Sequence, residues 1–277
     1  MPHIALCHSN RQPPGIPSRK DEVAGALARG ELELAYQPIY RLATGQLTKM
    51  EALLRWRRGD PPVPPDQFVP WMEDLGVIHA VGKWVIEHAC EQASRWNAQG
   101  RGAKVCFNVS PRQLEADDFP RFVRECLERT QCAPAWVELE ITEHCFIRDF
   151  ARTRAALSEL SRIGLTIALD DFGRGYSSLG CLADLPVQSI KLDRALVAGV
   201  HAEPRRAVIV AGVMDLCRAL GLEVTAEGVE HPAEAAFLER FDRIDVQGFL
   251  FGRPAPAALL PGKAWIREVL FDEEIQA

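Results

Sequence analysis

The sequence predicts an α/β fold, a TIM-like (β/α)8 barrel with an antiparallel first strand. Three observations carry this expectation. Eight short β-rich runs punctuate the chain, helical segments fill most gaps between them, and the first two runs stand too close together for a helix to join them. Alternating β and α segments point to βα units, and eight such runs point to a closed barrel.

The runs lie at 32–42, 47–56, 103–109, 136–142, 165–170, 187–192, 223–226 and 244–249. Three of them follow the same phrase, an amphipathic helix closed by a glycine. A helix starting near Glu22 ends at Gly30 before LELAYQPI, SELSRIG ends at Gly164 before LTIALD, and RALG ends at Gly221 before LEVTA. Glycine closes a helix because it takes the left-handed conformation without a Cβ clash. Only about four residues around 43–46, including Thr44-Gly45, connect the first two runs. A connection that short makes a hairpin, and hairpin strands are antiparallel. One strand of the barrel is therefore reversed.

The 277 residues suit one large domain with a core that needs no disulfide staples. The expected organisation is a flexible, Pro-rich segment over 1–19, the barrel over 20–262 and a C-terminal helix or tail over 263–277. The eight cysteines form no CxxC pair and no zinc-like grouping with histidine, which predicts reduced thiols in a cytoplasmic protein. No apolar run approaches the length of a membrane helix, and the N-terminus lacks the apolar stretch of a signal peptide. The formal net charge is -6 and no Lys/Arg run stands out, so neither DNA nor a membrane is an expected partner. Against that overall field, an anionic ligand has to be held by local arginines or bound cations.

Barrels of this type carry their chemistry at the C-terminal ends of the strands, and these ends are rich in acids. Glu51 lies in the second run, Asn108 closes the third, and Glu138, Glu140 and Glu143 crowd the fourth. Asp170-Asp171 ends the fifth, Lys191 and Asp193 the sixth and Glu227 the seventh, while Gln247 lies in the eighth. Singly, each has a plain structural reading. Asp171 serves as a helix cap, Glu138 faces solvent through strand alternation, Lys191 pairs with Asp193 at the surface, and Gln247 satisfies a loop. Together they converge on one mouth, where carboxylates repel one another unless cations bind. Oxygen ligands plus one amide, without a Cys or His cluster, suit Mg²⁺ or Mn²⁺. Adjacent Asp170 and Asp171 suit a bridge between two ions, the arrangement of phosphoryl chemistry. The seven histidines add nothing specific, and the GxG in DDFGRGYSS is weak evidence for a phosphate loop.

At these positions the chain resembles the EAL domain family. It carries Tyr36-Gln37-Pro38-Ile39, Glu51-Ala52-Leu53 within EALLRW, Asn108-Val109-Ser110, Glu140-Ile141-Thr142-Glu143, Asp170-Asp171-Phe172-Gly173, Lys191-Leu192-Asp193, Ala226-Glu227-Gly228-Val229-Glu230 and Gln247-Gly248-Phe249, in that order between about residues 20 and 256. The resemblance implies hydrolysis of cyclic di-GMP to linear pGpG with two Mg²⁺ or Mn²⁺ ions, inhibition by Ca²⁺, and a homodimer. Glu51, Asn108, Glu140 and Asp170 are then ligands of one metal, with Asp170 bridging to a second ion held by Asp171. Lys191 orients the attacking water, Glu227 is the general base or a water-positioning acid, and Gln247 assists. Gln37, Leu54 and Arg55 contact the dinucleotide, Arg55 through its planar guanidinium. Glu143 anchors the loop after the fifth strand.

The chain departs from the family pattern at three places. Arg174 replaces a threonine in the DDFGTG loop, Lys49 stands where a glycine commonly precedes the EAL motif, and the segment before Gln247 lacks the usual Gly-Cys. None removes a metal ligand. Receptors of the family that bind without cleaving usually lack one or more ligands, so the complete set here favours catalysis over a binding module or an inactive scaffold.

Overall fold

The hairpin expected at the start of the barrel is present. Strands β1 (Leu32–Arg41) and β2 (Gln46–Trp56) pair antiparallel, from Leu32 opposite Trp56 to Arg41 opposite Gln46, with a bulge between Ile39 and Tyr40. The structure, a computed structural model, describes residues 19–58, 62–142, 145, 149–174 and 179–259. Six further strands follow: β3 (Lys104–Asn108), β4 (Val137–Thr142), β5 (Thr166–Phe172), β6 (Ser189–Leu192), β7 (Glu223–Ala226) and β8 (Ile244–Val246). They close a barrel in sequence order. All neighbours from β2 to β8 are parallel, whereas β1 is antiparallel to both β2 and β8.

The helices are α1 (Arg19–Ala24), α2 (Pro65–Asp74), α3 (Ile78–Ala98), α4 (Pro111–Leu114), α5 (Phe119–Arg129), α6 (Phe150–Arg162), α7 (Leu179–Asp184), α8 (Arg194–Val197), α9 (Pro204–Leu220) and α10 (Pro232–Leu238). Their start and stop signals are local. The Asp149 carboxylate accepts from the Arg152 N–H at the start of α6, and Asp193 accepts from the Ala195 N–H at the start of α8. Gly221 ends α9 at φ 72°. The helix expected to run up to Gly30 stops earlier, at Ala24, and turns carry the chain on to Gly30. The hydrophobic faces meet the barrel wall: α3 buries Val85, Ala89, Ala93 and Trp96, and Trp96 sets its ring edge-on to Tyr36 of β1 at 5.0 Å. Trp56 of β2 meets Phe68 of α2 in the same way at 6.0 Å.

Two further expectations need correction. Gln247 lies just past β8, which ends at Val246. There the chain turns against the loop after β7: a Cβ on Gly248 would stand 1.9 Å from the Val229 carbonyl oxygen, so only glycine allows the approach. Glu138 does not face solvent. It stands two residues before Glu140 on β4 and points into the barrel with it, 1% exposed. Glu143, His144, most of the 1–19 segment and the 263–277 tail lie outside the described residues; Arg19 opens α1. The described cysteines are free and buried. No helix among the described residues is long and apolar enough to cross a membrane.

Candidate metal centre at the barrel mouth

Strand alternation and parallel register bring carboxylates in or at the ends of four strands to bear on one lysine. Lys191 sits on β6, 1% exposed. Its Nζ lies 2.7 Å from Glu227 Oε1, 3.1 Å from Glu140 Oε2, 3.2 Å from Glu51 Oε2 and 3.6 Å from Asp170 Oδ1. These carboxylates come from β2, β4, β5 and the residue following β7. Lys191 is therefore the hub of the site, and the surface pairing with Asp193 does not exist, because Asp193 caps α8.

Amides complete the ring. Asn108 Nδ2 donates to Glu51 Oε1 at 2.9 Å, and Gln247 Nε2 donates to Glu51 Oε2 at 2.7 Å. Gln247 Nε2 also reaches Gln37 Oε1 at 3.2 Å, and Gln37 Nε2 donates to the Gly252 carbonyl at 3.0 Å. Gln37, directly opposite Glu51 across the hairpin, is thus locked between β1 and the turn after β8.

The electrostatics follow from burial. For Glu51, desolvation alone pushes the pKa up, but Lys191 and the donors Gln247 and Asn108 outweigh it and leave the carboxyl below its usual range. Glu140 has no such set. Burial pushes it well up, Lys191 only partly offsets this, and Glu51, Asp170 and Glu138 push it further. Neither Glu140 oxygen has an aligned hydrogen-bond donor. Burial likewise raises Asp170, with Lys191 opposing and Glu51 and Asp171 reinforcing. Glu227 is raised to about 8 by burial, again against the pull of Lys191. Lys191 itself is held firmly charged, since the four surrounding carboxylates outweigh its desolvation. One ammonium cannot neutralise this many buried acids.

The residues fit a cation centre. Carboxylate oxygens of Asp170, Asp171 and Glu227 lie within 4.8 Å of one another, and the bare oxygens of Glu140 lie in the same cluster around Lys191. The donors are hard oxygens, the ligands of Mg²⁺ and Mn²⁺. Asp171 sits at φ 57°, a conformation rare for a residue with a side chain, and donates its backbone N–H to Asp170 Oδ1 at 2.8 Å. That strain fixes two adjacent carboxylates at one strand end. A second grouping, Cys106, Glu138 and Glu140, is also compact. It is a poor metal site, because burial holds the Cys106 thiol well above its usual pKa and Lys49 occupies Glu138.

The substrate-facing expectations divide. A cavity of about 220 Å³ opens beside Glu51, lined by Gln37, Glu227, Gln247, by Glu230 and Phe249, which the sequence motifs contain without a role, and by Arg194, which they do not contain. Arg194 Nη2 pairs with Glu230 Oε2 at 2.9 Å across this opening. The only sequence signal for Arg194 was its place directly after the KLD motif. Arg55 is half-buried and donates to the Leu54 carbonyl. Leu54 packs against the hydrophobic core and shares its strand face with Trp56 and not with Glu51.

The comparisons with known proteins agree with this geometry. The family model described as EAL domain matches residues 20–254. A protein of Escherichia coli K12 named cyclic di-GMP phosphodiesterase PdeR is 34% identical over 246 residues, covering 88% of this chain and 37% of that protein. The bifunctional diguanylate cyclase/cyclic di-GMP phosphodiesterase MucR of Pseudomonas aeruginosa is 38% identical over 237 residues, covering 85% of this chain and 35% of its own length. A solved structure titled PaMucR phosphodiesterase, c-di-GMP complex, superposes with a TM-score of 0.81 at 37% identity, covering 87% of this chain and 98% of the other. The chain thus spans little more than a third of these two curated relatives. With the family model matched across the whole barrel and the acidic mouth intact, the chain belongs to the EAL domain family.

Proposed function

We propose that this chain is a cyclic di-GMP phosphodiesterase. Water is added across one of the two phosphodiesters, a P–O bond to a 3′ oxygen breaks, and linear pGpG leaves. One observation carries the reading: Glu51, Asn108, Glu140, Asp170, Asp171 and Glu227 gather round Lys191 at one mouth with more negative charge than that lysine offsets. The substrate is supported by the relatives named as cyclic di-GMP phosphodiesterases.

Glu51, Asn108, Glu140 and Asp170 would hold one Mg²⁺ or Mn²⁺ ion, and Asp170 with Asp171 a second. When bound, such ions offset phosphate charge and make hydroxide available near neutral pH. The chain's own groups do the rest. Lys191, fixed 2.7 Å from Glu227, donates a hydrogen bond to the attacking water and orients it. Glu227, which cations held at the mouth would keep ionised, accepts the water's proton. Gln247 and Gln37 hold Glu51 and one wall of the cavity in place. Arg55, on the strand face of Glu51, contacts the dinucleotide. The working unit is a homodimer in the cytoplasm.

The test is product analysis. Purified protein with Mn²⁺ or Mg²⁺ converts cyclic di-GMP to pGpG, and EDTA stops it. No pGpG from micromolar enzyme over hours with either metal overturns the proposal, and binding without turnover marks a receptor instead.

A further inference from the structure

Beneath the site lies a second polar layer. Each of four members stands two residues before a site residue on the same strand, and so on the same face: Lys49 before Glu51, Cys106 before Asn108, Glu138 before Glu140 and Ser189 before Lys191. Lys49 Nζ lies 2.8 Å from both oxygens of Glu138, 3.4 Å from Ser189 Oγ and 3.7 Å from Glu223 Oε2. The Cys106 thiol approaches Glu138 Oε1 at 3.8 Å. The side chains of Lys49 and Glu138 are 3% and 1% exposed, so this pair is cut off from water. Among the described residues, Lys49 and Lys191 are the only buried cations.

That division has a consequence. A buried carboxylate stripped of its partner draws in another cation or takes up a proton. Glu138 lies one step below Glu140, which Lys191 already contacts at 3.1 Å, and the Lys49–Glu138 pair abuts Ser189 on the strand that carries Lys191. Lys191 is thus the cation within reach should Glu138 lose Lys49. Moving toward Glu138 would take Lys191 away from Glu227.

We propose that Lys49 is a positioning residue: by neutralising Glu138 it reserves Lys191 for the acidic ring at the mouth. The inference rests on the hydrolase reading above. It assigns a role to a residue that stands where the family commonly has glycine.

The test compares Lys49→Met with the double variant Lys49→Met/Glu138→Gln. Both are followed by steady-state hydrolysis of cyclic di-GMP and by Mn²⁺ titration of the metal-free protein. In Lys49→Met, kcat falls by about 10- to 100-fold, the scale of a misplaced catalytic group, while KM stays within about threefold. Mn²⁺ binds as tightly as in the wild type or more tightly, because Lys191 no longer crowds its ligands. A loosened ring would weaken Mn²⁺ instead. The double variant removes both charges, a change buried pairs often tolerate, and it returns kcat to within about threefold of wild type. Wild-type kcat in Lys49→Met, a loss that Glu138→Gln does not repair, or Mn²⁺ affinity that falls with kcat would each overturn the proposal. Should Lys49→Met not fold, Lys49→Gln keeps a donor toward Glu138 and is judged by the same outcomes. If the wild type binds Mn²⁺ but hydrolyses nothing, the hydrolase reading fails. The titration still decides the charge partition: tighter Mn²⁺ binding in Lys49→Met supports it, and unchanged or weaker binding overturns it.

Discussion

Lys191 Nζ and Glu227 Oε1 stand 2.7 Å apart inside the barrel mouth, and each sets the charge state of the other. Burial would discharge the lysine, but Glu227 is among the carboxylates that keep it charged. Burial raises Glu227 to about 8, and Lys191 is the main force resisting that rise. In the proposed mechanism the pair is a cation that orients the water beside the acid that takes its proton. Glu227→Gln removes the proton acceptor and leaves the shape. Turnover should fall by about 10²-fold or more, with cyclic di-GMP binding largely kept. Equal losses of binding and kcat would identify Glu227 as a metal ligand, a role its closeness to Asp170 and Asp171 also permits.

Glu51 tests the other side of the ring. It accepts from Asn108 and Gln247, contacts Lys191, and stays ionised where Glu140 and Asp170 do not readily do so. Glu51→Ala should abolish measurable Mn²⁺ binding at one of two sites and nearly all turnover. Isothermal titration of the metal-free variant reads the first and product chromatography the second. Full Mn²⁺ stoichiometry would remove Glu51 from the ligand set.

The fold was legible because its signals are local. Eight β-rich runs, glycine stops such as Gly221 and the short connection at Thr44-Gly45 each reflect backbone chemistry within a few residues. The ring was legible through the motifs that carry Glu51, Asn108, Glu140, Asp170, Lys191 and Glu227. What failed depended on partners far along the chain. Glu138 read as an outward residue, although strand alternation puts it on the face of Glu140; only the three-dimensional approach of Lys49, 89 residues earlier, makes its burial tolerable. The Arg194–Glu230 pair likewise joins the ends of two strands across 36 residues, which no short motif announces. β8 ends before Gln247, and the chain there runs close against the loop after β7 at Gly248 and Val229, a contact between segments far apart in sequence.

Proton linkage gives a prediction that does not depend on turnover. Glu227 rises from its usual 4.5 to about 8 in the folded protein, and burial also raises Glu140 and Asp170. A carboxyl with a raised folded pKa binds its proton more tightly in the native state. Its penalty is absent below the unfolded value, grows as pH rises through the window, and is constant above the folded value. Metal-free protein should therefore lose thermal stability between about pH 4.5 and pH 8 on account of these groups. Mn²⁺ should raise Tm more at pH 8 than at pH 5, and Mn²⁺ binding at pH 7 should release protons, seen as a dependence of the binding heat on buffer ionisation enthalpy. A Tm gain independent of pH would show that the ring is already ionised without metal.

Calcium discriminates between an ion that merely fills the ring and one that supports chemistry. Ca²⁺ is larger and takes more ligands in looser geometry than Mg²⁺ or Mn²⁺. It should bind the same carboxylates, compete with Mn²⁺ in titrations and suppress hydrolysis. Turnover supported by Ca²⁺ alone would show that the geometry of this site tolerates a displaced water.

Arg174 is the departure nearest Asp170 and Asp171, the proposed ligands of the second ion. Its Nη1 lies 3.5 Å from Asp171 Oδ1, with the arginine side chain 70% exposed and the aspartate 32% exposed. The contact is long and wet, the kind of ion pair that contributes about 0–1 kcal/mol. Arg174 therefore neither points fully into solvent nor folds into the ring. It leans on the outer ligand of the second proposed ion. A cation there competes with metal for Asp171, so Arg174→Thr should tighten the weaker Mn²⁺ site by no more than about fivefold, the equivalent of about 1 kcal/mol. Turnover at limiting Mn²⁺ should rise to match and be unchanged at saturating Mn²⁺. If the loop also links the metal site to a dimer contact, sedimentation of the same samples should show the dimer dissociation constant moving with Mn²⁺ occupancy. Identical Mn²⁺ titrations and identical sedimentation for Arg174→Thr and wild type would show that the contact with Asp171 has no functional weight.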